Sequence, residues 1–447
     1  MAGVGFGWSG TAARTSSAPR VMHRLHSLAR VDYVWGGAVS FGLLVFWWLR
    51  VSYWVENHEV AFSDIADYQA CARNIVDRGF FGVSDFWGSY WPPVTPSAYA
   101  CSMILSSWLG CEALMVWQWG VASLLSLGAC FLAREIRCTI GGMVGSLMGG
   151  SFFVCVALSK ASVFWSLKPS TETIAECLAY CFIATAMNLL RRRSILMYAI
   201  NGFVASLAML NRPANLALVI GGGVVCTILF ISGSDMRRHL AAWLMGLMLL
   251  WAPWTCRNFT RYGTIVPVTT QAPFSFLSDM GDFAVWDNGV LRHVTPSRLH
   301  DELESSCRDD LDAMRQASRY VMLWIYEDPI RYAKKVLART YRSLTFHDVA
   351  LTKLSRDDLF LDWRDNCMMD RGPCSIWCGL LCMLLLVVAH KFYWVWLLAV
   401  WGPIAFSCVV IALPRSVEPY VALIMWSPIL FLVGLMRCTL ERLSGAR

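Results

Sequence analysis

Long apolar stretches recur along the chain, and short polar stretches separate them. A helical run of about 20 apolar residues is long enough to cross the hydrocarbon core of a bilayer. The fifth and sixth apolar stretches are short and meet at Asn211-Arg212-Pro213, so the pattern leaves open whether both cross fully. We expect an all-α polytopic membrane protein with about ten transmembrane helices. The predicted spans are residues 33–54, 113–133, 139–158, 173–190, 196–210, 214–232, 239–256, 374–390, 392–412 and 419–436.

The composition agrees with a membrane protein, and the positions of the basic residues predict how the chain is oriented in the membrane. Hydrophobic residues make up 57% of the chain and charged residues only 15%, whereas soluble domains carry about 25% charged residues. The net charge is +7, and arginines and lysines gather at every second junction between the predicted spans. Because basic junctions stay in the cytoplasm, both termini are predicted to be cytoplasmic, and the charge does not indicate a nucleic-acid partner. The basic junctions are Arg14–Arg30, Arg134–Arg137, Arg191–Arg193, Arg237–Arg238, Lys391 and Arg437–Arg447.

This orientation places two long extramembrane stretches on the outer side. Within the second stretch, Ser318–Phe346 resembles a pair of interfacial amphipathic helices with a break at Pro329. The pattern leaves open whether this pair rests on the membrane or gates a substrate. The predicted parts are a cytoplasmic segment (1–32), a transmembrane module (33–256) with a first outer loop at about 55–112, an outer loop domain with amphipathic helices (257–372), and C-terminal spans with a cytoplasmic tail (373–447).

Ionisable residues gather at the predicted outer edge of the membrane. Such residues are costly near membrane depth and are therefore candidates for function. Cations and carboxylates on one face predict a site that holds an anion beside an acid or base. For any single arginine, the alternative is a side chain that snorkels to the lipid headgroups. The candidates are Asp64, Asp67, Lys168, Glu172, Arg212, Arg257, Arg261, Arg415 and Glu418.

Several motifs then point to a family. Asp64 and Tyr68 form an Asp-x3-Tyr run in the first outer loop, and Trp91-Pro92-Pro93 follows in the same loop. The other motifs are "SLAMLNRPANLALV" (206–219), "APWTCRNFTRYGTIVPVTT" (252–270) and "LPRSVEPYVALIMWSP" (413–428). In their residues and their order the chain resembles the GT-C membrane glycosyltransferases that are related to aminoarabinose transferases and protein mannosyltransferases.

The resemblance implies a fold, a reaction and a site. Such enzymes move a sugar from a polyprenyl-phosphate donor to a glycan, lipid or protein acceptor at the outer or lumenal surface, and the resemblance favours the bacterial inner membrane over the endoplasmic reticulum. It implies that Asp64 is the general base for the acceptor. Cations must stabilise the phosphate that leaves, and arginine suits phosphate through bidentate contacts. The implied phosphate ligands are Arg257, Arg212, Arg415 and Lys168, and the implied substrate contacts are Asp67, Tyr68, Trp87, Tyr90, Trp91, Pro92 and Glu172.

The chain departs from the family pattern at two positions. Trp91 stands where relatives often have a basic residue, and Asp67 stands where the aminoarabinose branch has one. Both departures remove a possible phosphate contact. No cofactor and no metal site is assigned, although Asp64 and Asp67 together are a possible site for a divalent metal ion, Mg or Mn.

Two other classes remain open from the sequence. An O-antigen polymerase or ligase also has about ten to twelve spans and a large outer loop, but it is expected to lack the early Asp-x3-Tyr run. A multispan transporter is expected to show internal repeats and broken helices. The break at Asn211-Arg212-Pro213 is compatible with a transporter, but the two halves of the chain show no repeat.

Overall fold

A computed structural model describes most of the chain up to residue 337. The described residues are 18–56, 63–166, 168–192, 194–216, 218–220, 222–223, 236–271, 273–274, 284–287, 290–293, 296–334 and 337. The three predicted spans between 374 and 436 lie outside them, as do Arg415 and Glu418.

Helices dominate the described residues, as the apolar pattern predicts. Residues up to 211 form α1 (Ala18–Glu56), α2 (Ser63–Arg78), α3 (Val94–Leu109), α4 (Ala113–Ile140), α5 (Gly142–Leu158), α6 (Lys160–Ser166), α7 (Thr171–Arg192) and α8 (Ile195–Asn211). After a 3-10 turn at Pro213–Asn215, the described elements are α9 (Met236–Tyr262), the strands β1 (Ala284–Asp287) and β2 (Val290–His293), α10 (Pro296–Ser306) and α11 (Asp310–Glu327).

Three of the described helices are long and apolar enough to cross a membrane. They are the Asp32–Val55 part of α1, all of α4, and the Arg237–Tyr262 part of α9. The apolar helices α5 and α8 are shorter, at 17 residues each. The chain is therefore a membrane protein of mainly helical structure.

Small residues let the helices of the membrane part approach closely. A Cβ atom at Gly202 of α8 would overlap the carbonyl oxygen of Trp243 on α9, and one at Gly246 of α9 would overlap the carbonyl oxygen of Ala199 on α8. Helices that lie in lipid pack through such small residues because their backbones can then come together. The two glycines thus fix α8 and α9 as a tight pair, and the end of α9 reaches the outer loops from this pair.

The second predicted outer stretch, residues 257–372, contains a hairpin that the all-α prediction missed. The strands β1 and β2 pair antiparallel, with Ala284 opposite His293 and Asp287 opposite Val290. In the sequence, Asn288-Gly289 stands between the strands, and this dipeptide is a strong hairpin signal because both residues tolerate positive φ. The prediction of a mainly helical chain is confirmed, and this two-stranded hairpin is an element that the prediction did not include.

Farther along the same stretch, the helix breaks where the sequence has its proline. The helix α11 ends at Glu327, Asp328 has non-helical backbone angles, and helical structure resumes at 329–334. The Asp328 carboxylate accepts a hydrogen bond of 2.8 Å from the backbone N–H of Arg331 and so begins the new turn.

Candidate active site

The predicted first outer loop, at about 55–112, contains α2, α3 and the segment between them, and it holds several predicted site residues. Asp64 is the second residue of α2, and Tyr68 lies one turn later. Tyr68 is buried, and its ring centroid lies 4.7 Å from that of Trp91, which is buried as well. A hydrogen bond of 3.3 Å from Gln69 to the Tyr99 hydroxyl also joins α2 to α3. These contacts hold the helix that carries Asp64 and Asp67 against the Trp91-Pro92 segment.

Arg257, near the end of α9, fastens the first outer loop to the membrane helices. Its Nη2 donates to the carbonyl oxygens of Phe81 and Gly88, at 2.8 and 2.9 Å. Its Nη1 donates to the Ser89 hydroxyl and to Asn258 Oδ1. The four terminal N–H groups of the guanidinium therefore serve acceptors of the protein itself, which leaves Nε as the remaining donor. The role of Arg257 as a phosphate ligand stays a prediction.

A buried carboxylate from the second outer stretch meets the same loop. Asp310, the first residue of α11, is completely buried. It accepts hydrogen bonds from the Ser89 backbone N–H at 2.8 Å, from the Tyr262 hydroxyl at 2.6 Å and from the Thr270 hydroxyl at 3.2 Å. Burial raises the pKa of Asp310, although these donors and the nearby Arg261 act in the opposite direction. Sequence reasoning missed this residue.

The aromatic residues of the loop also contact the second outer stretch. Phe274 packs edge-on against Trp87 and Tyr90, with ring centroids 5.5 and 5.4 Å away. Trp87 Nε1 donates a hydrogen bond of 3.1 Å to the carboxylate of Glu304 on α10. Trp87 and Tyr90 thus have partners within the protein, and their role as substrate contacts stays a prediction.

A second polar cluster joins three segments that are far apart in the sequence. Arg212, just after α8, donates a hydrogen bond of 3.1 Å to Glu172 in the first turn of α7. The preceding residue, Asn211, accepts from the Thr95 hydroxyl of α3 at 2.7 Å and donates to the carbonyl of Thr171 at 2.8 Å. The structure therefore brings the Arg212 turn, the head of α7 and the end of the first outer loop together.

Lys168 belongs to the same neighbourhood. Its carbonyl oxygen accepts a hydrogen bond of 2.9 Å from Trp117 Nε1, and its buried ammonium lies 4.1 Å from the ring centroid of Phe164. Trp117 packs in turn against Tyr99 of α3. Ser170, two residues after Lys168, has a buried hydroxyl with no hydrogen-bond partner among the described residues, and so does Thr173. Several polar groups thus surround the N-terminus of α7, the end of the helix that attracts anions.

One group of charged residues within the membrane part escaped the sequence prediction. Arg50 of α1 and Glu176 of α7 are both buried, with only 3% of each residue exposed. Arg50 donates to the Ser162 hydroxyl at 2.9 Å, and the Tyr180 hydroxyl donates to Glu176. The rule that charged residues inside spans are functional candidates would have found both. The contact of Arg50 with Ser162 ties α1 to α6, and Glu176 lies one turn after Glu172 on α7.

The described residues contain no group of three His, Cys, Asp or Glu side chains that could hold a metal ion. The possible divalent-metal site at Asp64 and Asp67 stays a prediction.

Comparison with known proteins finds likeness in structure. No family model and no curated protein matches the sequence. A crystal structure of the Archaeoglobus fulgidus oligosaccharyltransferase in complex with Zn and sulfate matches with a TM-score of 0.50 and 13% identity, over 90% of this chain and 49% of that one. Archaeal oligosaccharyltransferase AglB from A. fulgidus, in complex with an inhibitory peptide and a dolichol-phosphate, matches with a TM-score of 0.49 and 12% identity. The match covers 93% of this chain and 52% of that one. ArnT from Cupriavidus metallidurans, bound to undecaprenyl phosphate, matches with a TM-score of 0.40 and 11% identity. The match covers 90% of this chain and 78% of that one.

The likeness establishes the fold. The chain spans about half the length of the two oligosaccharyltransferase chains, 49% and 52%. The resemblance that the motifs predicted is thereby confirmed at the level of the fold: the chain shares the fold of the A. fulgidus oligosaccharyltransferase.

Proposed function

We propose that the chain is an integral membrane glycosyltransferase that moves a sugar from a polyprenyl-phosphate donor to a glycan, lipid or protein acceptor. The fold is that of an oligosaccharyltransferase. The observation that supports the proposal most is the cluster at the head of α7, where Lys168, Glu172 and Arg212 lie beside the end of the first outer loop. In this proposal the cluster faces the periplasmic or lumenal side, and the membrane is the bacterial inner membrane.

The donor phosphate lies at the N-terminus of α7 in this proposal. Arg212 and Lys168 are cations, both at least 91% buried, and an anion gains more from cations that lie away from water. The first turn of α7 adds backbone N–H groups and the positive end of the helix dipole. The hydroxyls of Ser170 and Thr173, which have no partner among the described residues, supply further donors. We therefore assign the phosphate to Arg212 ahead of Arg257, because the terminal N–H groups of Arg257 already donate to acceptors of the protein.

The sugar lies between this phosphate site and α2. Trp91 Nε1 is a buried donor that has no hydrogen-bond acceptor among the described residues, so it is suited to a hydroxyl of the sugar. The next residue, Pro92, is buried as well, and the ring of Tyr68 packs against that of Trp91. Trp87 and Tyr90 have a supporting role, since their rings pack against Phe274 of the second outer stretch.

The reaction is a displacement at the anomeric carbon. The acceptor hydroxyl attacks this carbon while the carboxylate of Asp64 takes the hydroxyl proton. The bond between the anomeric carbon and the phosphate oxygen breaks, and its electron pair leaves with the polyprenyl phosphate. Arg212, Lys168 and the N-terminus of α7 stabilise the charge that grows on that oxygen. Asp67, one turn from Asp64 on the same helix, orients the acceptor.

A transfer assay with defined variants tests the proposal. The purified protein is incubated with a panel of labelled polyprenyl-phosphate sugars, and released carrier and glycosylated product are both measured. Loss of a charged hydrogen-bond partner costs about 1.5–3 kcal/mol, so Arg212→Ala should weaken donor binding by roughly tenfold to a hundredfold. Arg315→Ala is the matched control, because Arg315 is half exposed and pairs with Asp312 on the surface of α11. Equal donor affinity in wild type and Arg212→Ala would place the phosphate elsewhere.

A further inference from the structure

Ser89 is held at every polar atom it has. Its N–H donates to Asp310, and its carbonyl oxygen accepts from the Thr270 N–H at 3.1 Å. Its hydroxyl donates to Asn258 Oδ1 at 2.9 Å and accepts from Arg257. Asp310 and Thr270 belong to the second outer stretch, so this stretch holds the first outer loop through both backbone groups of one residue.

Asp310 is chemically matched to this place. Three donors converge on it: a backbone N–H from Ser89 and hydroxyls from Tyr262 and Thr270. A carboxylate accepts without donating and has lone pairs for all three, whereas an asparagine in the same place would accept through one oxygen only. The other charged groups that face Asp310 from neighbouring elements are Arg257 and Arg261, at the end of α9. On its own helix, Asp309 caps the N-terminus and Asp312 pairs with Arg308 and Arg315 at the surface.

The contacts of Ser89 lead directly to the candidate site. Two residues after Ser89 comes Trp91, whose ring packs against Tyr68 of α2. Asp64 lies one turn before Tyr68 on that helix. A shift of Ser89 would therefore move Trp91 and loosen the helix that carries the proposed base.

We propose that Asp310 is a positioning residue, which fixes the first outer loop at Ser89 and so holds Trp91 and α2 in the geometry that sugar transfer needs. The second outer stretch is then a structural part of the active site. The proposal has two halves. The mechanical half, that Asp310 holds the loop, stands without the proposed function, whereas the catalytic half, that sugar transfer needs this geometry, rests on it.

A native thiol reports on the mechanical half. Cys71 of α2 is completely buried and has a hydrogen bond with the backbone of Gly82, in the loop that Asp310 holds. Burial raises the pKa of Cys71 to about 12, so the closed loop leaves an unreactive thiol at neutral pH. Alkylation of the purified full chain by iodoacetamide, followed by peptide mass spectrometry, gives the labelling rate of Cys71 alone.

Asp310→Ala should raise the labelling rate of Cys71 at least tenfold, and Asp310→Asn by a smaller factor, since asparagine keeps part of the bonding. Thr270→Val, which removes one of the three donors, is a milder variant that keeps the test decisive if Asp310→Ala does not fold. Asp312→Ala is the matched control on the same helix and should label at the wild-type rate. If Asp310→Asn and Thr270→Val both leave Cys71 as protected as in wild type, Asp310 does not hold the loop.

Kinetics with a working donor test the catalytic half. A positioning role predicts that Asp310→Asn lowers kcat at least tenfold and raises the donor KM by a smaller factor, because Trp91 shifts at the sugar while the phosphate site at α7 is untouched. Faster labelling of Cys71 with an unchanged kcat would show a loop clamp that transfer does not need, and it would overturn the catalytic half. A wild-type protein that transfers no sugar contradicts the proposed function instead, and the labelling result still decides whether Asp310 holds the loop.

Discussion

Replacing Arg257 by lysine separates the role of a loop clamp from that of a phosphate ligand. The guanidinium makes four hydrogen bonds to the protein, three of them to the first outer loop. A lysine keeps the charge, but its ammonium is a single point that reaches about two of these acceptors. Hydrogen bonds to charged groups contribute about 1.5–3 kcal/mol each, and the low end applies because Arg257 is only half-buried. We therefore expect Arg257→Lys to destabilise the closed loop by about 3 kcal/mol.

Such a loss should be visible as local opening. Cys71 reacts only when the loop lifts away from α2, and each 1.4 kcal/mol changes the open population about tenfold. Arg257→Lys should therefore raise the alkylation rate of Cys71 by about a hundredfold in the absence of donor. Arg261→Lys is the control from the next turn of α9, since Arg261 donates to the carbonyl of Asp85 from a partly exposed position. It should change the rate less than tenfold.

The competing role gives the opposite pattern. If Arg257 is mainly a phosphate ligand, Arg257→Lys weakens donor binding at least tenfold and leaves the alkylation of Cys71 unchanged. That result would show that the four hydrogen bonds of Arg257 do not hold the loop closed. Donor binding is measured with a labelled donor under conditions where no acceptor is present, so that transfer does not obscure it.

Three further predictions follow from single residues. Asp64→Asn should lower turnover roughly 10²–10⁴-fold in the transfer assay while donor binding is retained. Asp67→Asn should lower turnover only modestly, and a large loss in both variants that depends on added Mg or Mn would indicate a metal site instead. Because burial raises the pKa of Asp310, wild type should lose thermal stability relative to Asp310→Asn as pH rises through the raised pKa, and scanning fluorimetry from acid to neutral pH checks the sign. Gly246→Ala should cost about 1–3 kcal/mol of stability through overlap with Ala199, whereas Gly120→Ala, which meets nothing within 4 Å, should not lower the melting temperature.

The helices could be predicted because the apolar residues that favour each of them lie within its own segment of the sequence. The spans at α1, α4 and α9 follow from apolar length alone. The break before residue 329 follows from Pro329, because a proline disfavours helical angles in the residue before it. The hairpin of β1 and β2 had a local signal as well, the Asn288-Gly289 pair, and it was missed because the apolar pattern was read for helices only.

The partners of the charged residues could not be predicted in the same way. Arg212 and Glu172 are 40 positions apart, and the sequence pattern at the span ends placed both on one side of the membrane without pairing them. Arg257 bonds to backbone carbonyls 169 and 176 positions away. A carbonyl oxygen is present at every residue, so no sequence pattern marks which one an arginine will choose. Asp310 escaped for the same reason, since one of its donors is a backbone N–H.

The difference between Arg212 and Arg257 bears on how the site treats an anion. Glu172 pairs with Arg212 at 3.1 Å, so a phosphate that binds there must compete with a carboxylate for the guanidinium. The four acceptors of Arg257 are neutral, so its positive charge stays uncompensated by them while its donors are occupied. A charge that is fixed in this way attracts an anion electrostatically without forming a hydrogen bond to it. The attraction is stronger where water is excluded. If the donor phosphate binds at Arg212 and the N-terminus of α7, as proposed above, the charge of Arg257 should raise the affinity for it. On this reasoning Arg257→Lys retains the field and loses the clamp, whereas Arg212→Lys retains the charge and loses the directed contact.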